Sequence, residues 1–332
     1  MATIQEVAAC AGVSVGTVSR YLNGHKLKTN NEKKVKEAIK KLNYHENYLA
    51  KSLRSNQTMT IGLLINNMQN HFATDIVSRL EIELELNDYS IILSGFSNNK
   101  GLYERKLKTL FDRKIDGLIL FEGRQEWPGK EMLENLSIPA IAISSPYDME
   151  HIDSITADDL LATQKVISKM IELGHEKIGI IAAPQREYSA KERLSGAKLA
   201  FKLSGLPEEN LIIKYGDYSR ESGYHAMLEL LEEDKCECIF VCNFNMSRGA
   251  LQAVYEKNLR IGENLSFACF DYQETLPLFY PRITTICPDT GSIGGIAAQQ
   301  LLNAINTKTL CKNKTICVPN KIIWNNSIVD VR

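Results

Sequence analysis

The chain has 332 residues, 44% hydrophobic and 24% charged, close to the average for globular proteins, so the composition points away from both a disordered polymer and a membrane protein. No apolar run approaches the roughly 18 residues of a membrane-spanning helix, and the opening residues do not read as a signal peptide, so a cytoplasmic protein is expected. The net charge of −1 hides an asymmetry: residues 1–58 hold ten Lys or Arg against four Glu, and the rest holds 29 basic against 36 acidic residues, the layout of a protein that brings one end to phosphate.

In chain order, the first predicted element is a short helix capped by Thr3, with Ile4, Val7, Ala8 and Ala11 at helical spacing and Gly12 supplying the turn that ends it. Ser14 then caps a second helix, which buries Val18, Tyr21 and Leu22 and leaves Val15, Gly16, Thr17 and Arg20 on or near its N-terminal outer face. Two short helices joined by a Gly-containing turn form the helix-turn-helix pattern, whose second helix enters the major groove of DNA. A third-helix segment is expected over Val35 to Tyr44, and Asn47 can cap a short hinge helix with Leu49 and Leu53 on one face. The lysines at 33, 34, 36, 40 and 41 would alone be only a solvated face; beside a helix-turn-helix they gain meaning.

The run Thr3 to Asn23, the segment Val35 to Tyr44 and Ala50-Lys51-Ser52-Leu53-Arg54 together resemble the lactose/galactose repressor (LacI/GalR) family of bacterial regulators. Arg20 is the leading candidate for base readout, because a guanidinium donates two hydrogen bonds to guanine. The resemblance places Val15 and Gly16 at operator-specific positions, where relatives carry polar pairs; Val15 offers only apolar contact, and its alternative role is packing within the headpiece. Discrimination then rests more on Arg20, on Thr17 and on the hinge. Thr3, Ser14, Asn23 and Tyr44 read as capping, phosphate or packing residues. The resemblance also implies that Leu53 wedges into the minor groove while Lys51 and Arg54 flank it; the alternative for Leu53 is docking of a linker. Relatives usually carry a proline before Asn47, where this chain has Glu46.

After Thr60, strands and helices alternate: strand Ile61 to Ile65, helix Phe72 to Glu85, strand Ile91 to Leu93, helix Tyr103 to Arg113 and strand Gly117 to Phe121. The series recurs from Lys177 to Phe270, with strands at 177–182, 211–214, 239–242 and 265–270 and helices at 187–203, 220–232 and 246–258. Two doubly wound parallel-sheet lobes follow. The segment Thr284 to Ile286 and the helix Ser292 to Ile305 read as a return to the first lobe. The expected organisation is an all-α headpiece over 1–46, a hinge over 47–58 and an α/β body over 59–332. The first lobe takes about 59–158 plus 288–318, and the second about 159–287 plus 319–332.

The body resembles the sugar-binding bodies of the same family and the related periplasmic binding proteins. Matching residues run in order from Asn70 and Phe72 through Arg113, Asp116-Gly117, Ile138-Pro139, Asp158 and Gly174-His175 to Arg193-Leu194, Gly249-Ala250, Phe270-Asp271 and Thr284-Thr285. The resemblance implies that Arg193, Asn243 and Asp271 hydrogen-bond an effector and that Phe72 and Tyr218 give flat walls for a ring. Other roles stay open: an ion pair for Arg193 and Asp271, a helix cap for Asn243, core packing for Phe72 and Tyr218. Phe244 stands where relatives have Asp, Ser144 where they often have Asp or Arg, and Glu187 and Ser189 where purine-responsive members have Arg and Thr. An acidic Glu187 disfavours an anionic ligand, so a neutral sugar or glycoside is expected.

No glycine fingerprint follows the first strand, and there is no nucleophile elbow, zinc-protease motif or triad, so the reading is of a binder and not an enzyme. The glycines at 291, 294 and 295 read as sites of close helix packing. Cys236, Cys238 and Cys242 lack a second ligand cluster and read as small buried apolar residues of a strand; no metal or cofactor is called for. A homodimer reading two half-sites of palindromic double-stranded operator DNA is expected. Only eight residues follow Trp324, without a heptad tail for a tetramer. The leading expectation is a ligand-responsive repressor of carbohydrate genes. Its competitors are a catabolite-control regulator with a phosphoprotein co-effector and a sugar-binding transport receptor.

Overall fold

A computed structural model describes residues 2–22, 25–44, 57–66, 68, 71–123, 126–271 and 280–332. The chain divides into two compact units, Met1–Met59 and Thr60–Arg332.

In the first unit, α1 (Ile4–Ala11), α2 (Val15–Leu22) and α3 (Thr29–Lys41) surround a small core of Val7, Ala8, Ala11, Val18, Val35, Ala38 and Tyr44. Thr3 and Glu6 form a reciprocal capping box on α1: Glu6 N–H donates to Thr3 Oγ1 at 3.3 Å, and Thr3 N–H donates to Glu6 Oε2 at 2.7 Å. Gly12 closes the helix in the left-handed region at φ 63°. The third helix differs from expectation in its bounds, starting at Thr29 and ending at Lys41. Its opening turns carry no apolar residue for periodicity to detect, yet Glu32 in the first turn and Lys40 and Lys41 in the last suit the helix dipole.

The second unit holds two six-stranded sheets. The first, in the order β11-β5-β4-β3-β1-β2, is parallel throughout and comprises β1 (Thr60–Ile65), β2 (Ser90–Gly95), β3 (Gly117–Phe121), β4 (Ala140–Ile143), β5 (Ile152–Ala157) and β11 (Thr315–Val318). The second, in the order β12-β10-β9-β8-β6-β7, comprises β6 (Ile178–Ala182), β7 (Leu211–Tyr215), β8 (Cys238–Val241), β9 (Ser266–Phe270), β10 (Thr284–Cys287) and β12 (Lys321–Ile323); β12 alone runs antiparallel, against β10. Central strands covered on both faces read as unbroken apolar runs. In β1, Ile61, Leu63, Leu64 and Ile65 are all fully buried. In β8 the side chains alternate, Cys238 and Phe240 joining one core and Ile239 and Val241 the other. Burial pushes the Cys236 thiol up to about 11 and the Cys242 thiol up to about 12, so both act as apolar groups.

Helices α4 (His71–Glu85), α5 (Lys100–Asp112), α6 (Lys130–Glu134), α7 (Asp159–Glu172), α8 (Tyr188–Ser204), α9 (Arg220–Glu232), α10 (Phe244–Glu256) and α11 (Thr290–Thr307) complete the unit. The sequence reading of Thr284 to Ile286 as part of the return to the first lobe is corrected: this segment is β10, paired in parallel with β9 inside the second sheet. Only after it does the chain cross back, and α11 packs against α4, where a Cβ on Gly294 would stand 2.9 Å from the Ile76 carbonyl oxygen. Strand β5 went unrecognised because its sequence, IDSITA, carries a buried acid. Asp153 is held there by backbone N–H groups of Lys312 (3.0 Å) and Lys314 (2.8 Å), which lead into the neighbouring strand β11. Among the described residues, no helix is long and apolar enough to cross a membrane.

Candidate functional site

On the headpiece, Ser14 caps α2 by accepting from Thr17 N–H at 3.2 Å, and the two hydroxyls pair at 2.9 Å. Thr17 is thereby drawn half into the fold, while Val15, Gly16 and Arg20 stand exposed on one side of the helix. Val15 is 40% exposed, which argues against the packing role. A Cβ at Gly16 would meet only the Ser14 hydroxyl, at 3.8 Å. The N-terminal outer surface of α2 is therefore small, apolar and unobstructed, with one guanidinium a turn further on. Thr3 is engaged in its capping box, and Tyr44 is core. Asn23, Lys51, Leu53 and Arg54 lie outside the described residues.

In the second unit, the C-terminal ends of nine parallel strands open onto one cavity of about 530 Å³. Asn66 follows β1, Ser97 follows β2, Glu122 follows β3, Ser144 follows β4 and Ala157 ends β5. From the other lobe, Glu187 and Ser189 follow β6, Tyr218 follows β7, Asn243 follows β8 and Asp271 follows β9. This is where doubly wound sheets place ligands, because the loops beyond the strand ends are free to carry polar groups while the strands themselves are core. Phe72 also lines the cavity and meets Phe121 edge-on, with ring centroids 6.1 Å apart.

Of the expected pocket residues, Phe244 is placed elsewhere. Its side chain is buried in the second-lobe core with residues such as Met227, Met246 and Ile283; at the first position of α10 it turns toward the sheet and not the cavity. Only its backbone N–H reaches the polar cluster, donating to Asp271 Oδ2 at 3.4 Å.

Arg193 is the centre of that cluster. It is 7% exposed and lies over the Phe270 ring, 3.6 Å from the centroid. Its Nε donates to Asp159 Oδ2 at 2.9 Å and its Nη1 to the Cys242 carbonyl at 2.7 Å, while Nη2 stands 3.8 Å from Asp271 Oδ1. Burial works against its charge, but Asp159 and Asp271 outweigh burial and hold the guanidinium above its ordinary value. Helices α7 and α8 bring Asp159 and Arg193 together through Gly196, where a Cβ would collide with the Leu160 carbonyl. Asn243 does two things at once: its Oδ1 caps α10 by accepting from Asn245 N–H at 2.9 Å, and its Nδ2 donates to Asp271 Oδ2 at 3.2 Å.

Asp159 and Glu122 are cavity residues that sequence reasoning missed. The paired acids at 158 and 159 opening an amphipathic helix were a usable signal, and they divide the work. Asp158 Oδ1 accepts from Asn320 N–H at 2.5 Å, and Asp159 Oδ1 accepts from Asn320 Nδ2 at 3.0 Å. Glu122 follows an unbroken apolar strand with no periodic cue; it takes a left-handed conformation at φ 55° and ties to β4 by donating its N–H to the Ile143 carbonyl at 3.1 Å. Burial and the Glu187 carboxylate push Glu122 up to about 7. Burial likewise raises Asp271, against the pull of Arg193.

Comparison with known proteins places this architecture. Residues 3–47 match the model of bacterial regulatory proteins of the lacI family, and residues 167–328 that of a periplasmic binding protein-like domain. Catabolite control protein A of Priestia megaterium is 30% identical over 328 residues, 98% of each chain. The chain belongs to the LacI family. The ribose operon repressor of Escherichia coli (strain K12) is 31% identical over 323 residues, 96% of this chain and 98% of that one. Among solved structures, the lac repressor dimer bound to operator and the anti-inducer ONPF superposes with a TM-score of 0.85 at 24% identity, covering 99% of each chain, a likeness of fold. The complex of the transcriptional regulator CelR with cellobiose has a TM-score of 0.74 at 25% identity, covering 98% of this chain and all of that one. As a LacI-family member, the protein is a DNA-binding transcriptional regulator.

Proposed function

We propose that this LacI-family protein is a cytoplasmic, ligand-responsive repressor of carbohydrate uptake or metabolism genes. It binds a near-palindromic operator as a homodimer and takes a sugar effector in the cavity between its lobes. The observation that carries the reading is the convergence of the strand ends of both sheets on one polar cavity, in a chain whose first unit is a helix-turn-helix. A hydroxyl-rich ligand suits the walls. Arg193, Asn243 and Asp271 supply donors and acceptors on one side, serines line the other, and Phe72 and Tyr218 offer flat faces for the apolar side of a sugar ring. Arg20, Val15, Gly16 and Thr17 read the half-site, with Thr3, Ser14, Asn23 and Tyr44 setting register. Lys51, Leu53 and Arg54 engage the minor groove at its centre. A ligand that touches both lobes favours one angle between them, and by linkage operator affinity changes with ligand and ligand affinity with operator.

The test is selection of binding sequences from a random duplex pool, followed by fluorescence polarisation on the selected duplex with and without each sugar of a mono- and disaccharide panel. A two-fold symmetric site whose affinity shifts at least tenfold with one sugar supports the reading. Binding without sequence preference, or a site indifferent to every sugar, overturns it.

A further inference from the structure

The described residues lining the cavity carry five carboxylates, on Glu122, Asp159, Glu187, Asp217 and Asp271, against two guanidinium groups, on Arg186 and Arg193. Both guanidinium groups are already engaged, Arg193 with Asp159 at 2.9 Å and Arg186 with Glu187 at 3.4 Å. Asp217 accepts from Ser219 N–H at 2.9 Å. That leaves Asp271 and Glu122. Asp271 is 8% exposed, its Oδ1 has no hydrogen-bond partner among the described residues, and Arg193 stands 3.8 Å away. Glu122 belongs to the opposite lobe and feels Glu187 and Asp271 as like charges, with the Asn66 side chain and Arg193 pulling the other way.

We infer that the effector is a sugar bearing a basic nitrogen, whose ammonium group is received by Glu122 on the first lobe while its hydroxyls meet Arg193, Asn243 and Asp271 on the second. This rests on the reading of the cavity as an effector site, and it replaces the neutral sugar expected from Glu187 alone. A neutral ligand leaves the cavity's excess of carboxylates as it stands, and an anionic ligand adds to it. An ammonium group at Glu122 supplies the cation that the described lining of the first lobe lacks. A cavity of about 530 Å³ is within the range of small-molecule sites and holds a mono- or disaccharide.

The experiment is isothermal titration of the full-length protein at pH 7 with glucosamine, galactosamine and mannosamine, with their parent hexoses and with the N-acetylated forms, which keep the nitrogen but lose its charge. At least one hexosamine is expected to bind tenfold or more tighter than both its parent and its N-acetyl form. Glu122→Gln should abolish that preference, and Glu122→Asp, which retains the charge, should keep it. Circular dichroism checks that both variants are folded. A parent hexose or N-acetyl form that binds as tightly as the amine overturns the inference and leaves the effector-site reading standing. A preference that survives in Glu122→Gln also overturns it. If none of these sugars binds while specific operator binding is intact, the effector-site reading itself fails for them, and the inference with it.

Discussion

Glu122 makes folding stability depend on pH in the direction opposite to an ordinary paired carboxylate. Its carboxyl is raised from 4.5 to about 7, so between those values the folded chain holds a proton that the unfolded chain has released. Stability therefore falls as pH rises through this window. Below 4.5 both states are protonated and the contribution is fully present; above 7 it is lost. The full shift corresponds to about 3 kcal/mol, and because Glu122 keeps part of its surface open to the cavity, about 2 kcal/mol is expected. Glu122→Gln carries no titrating proton, so the difference between wild type and variant isolates this group from others that titrate nearby, including Asp271, which burial raises, and His175, which burial lowers. Urea unfolding followed by tryptophan fluorescence is a suitable assay, since Trp127 is buried in the first-lobe core. From pH 5 to pH 8 the variant should gain about 2 kcal/mol relative to wild type. If the two stability curves run parallel across that range, the account of Glu122 is refuted.

Replacing Asp159 by Asn leaves the buried Arg193 guanidinium with Asp271 as its nearest carboxylate, at 3.8 Å, and should cost about 3 kcal/mol in urea unfolding; a loss under about 0.5 kcal/mol would show that the pair carries little. Gly196→Val should push α8 away from α7, destabilising the second lobe by about 3 kcal/mol and weakening the thermal shift produced by any bound sugar although Arg193 is untouched; an unaltered ligand response would remove this crossing from the site's construction. On the headpiece, exposed Arg20→Ala should relax preference at one base of each half-site, with a loss of about 10- to 100-fold on the selected duplex and little change on random DNA; equal losses on both would make Arg20 a phosphate contact.

The fold was legible where patterning is strong. Fully buried strands such as β1, β3 and β8 announce themselves as apolar runs, and the capping box at Thr3 and Glu6 together with Gly12 marks α1 at both ends. Legibility failed where tertiary partners, and not local pattern, satisfy the chain. β5 hides a buried acid that only β11's approach explains, and β10 looks like a return segment until its pairing with β9 is seen. The cavity divided in the same way. Arg193, Asn243 and Asp271 could be carried over from a family resemblance, and they do gather in one cluster. Asp159 and Glu122 could not, because their importance comes from what stands opposite them in space. Phe244 shows the converse error: standing where relatives have Asp placed it in the pocket, while the first turn of α10 directs its side chain into the core.

The double use of Asp159 has a mechanical consequence. The lobes are joined by three connections, at 157–159, 287–290 and 318–321. Asn320 stitches the first to the last, through Asp158 at 2.5 Å and Asp159 at 3.0 Å, while the second oxygen of Asp159 receives Arg193. The lever and its pivot are thus fastened to one carboxylate. A ligand that draws the Arg193 guanidinium into the cavity pulls on two of the three connections between the lobes, two hydrogen bonds away. One that leaves Arg193 seated on Asp159 fills the chamber and leaves the pivot at rest. Among molecules that fit, the difference between an effector and a bystander then lies less in how tightly each binds than in which of them tugs at this joint.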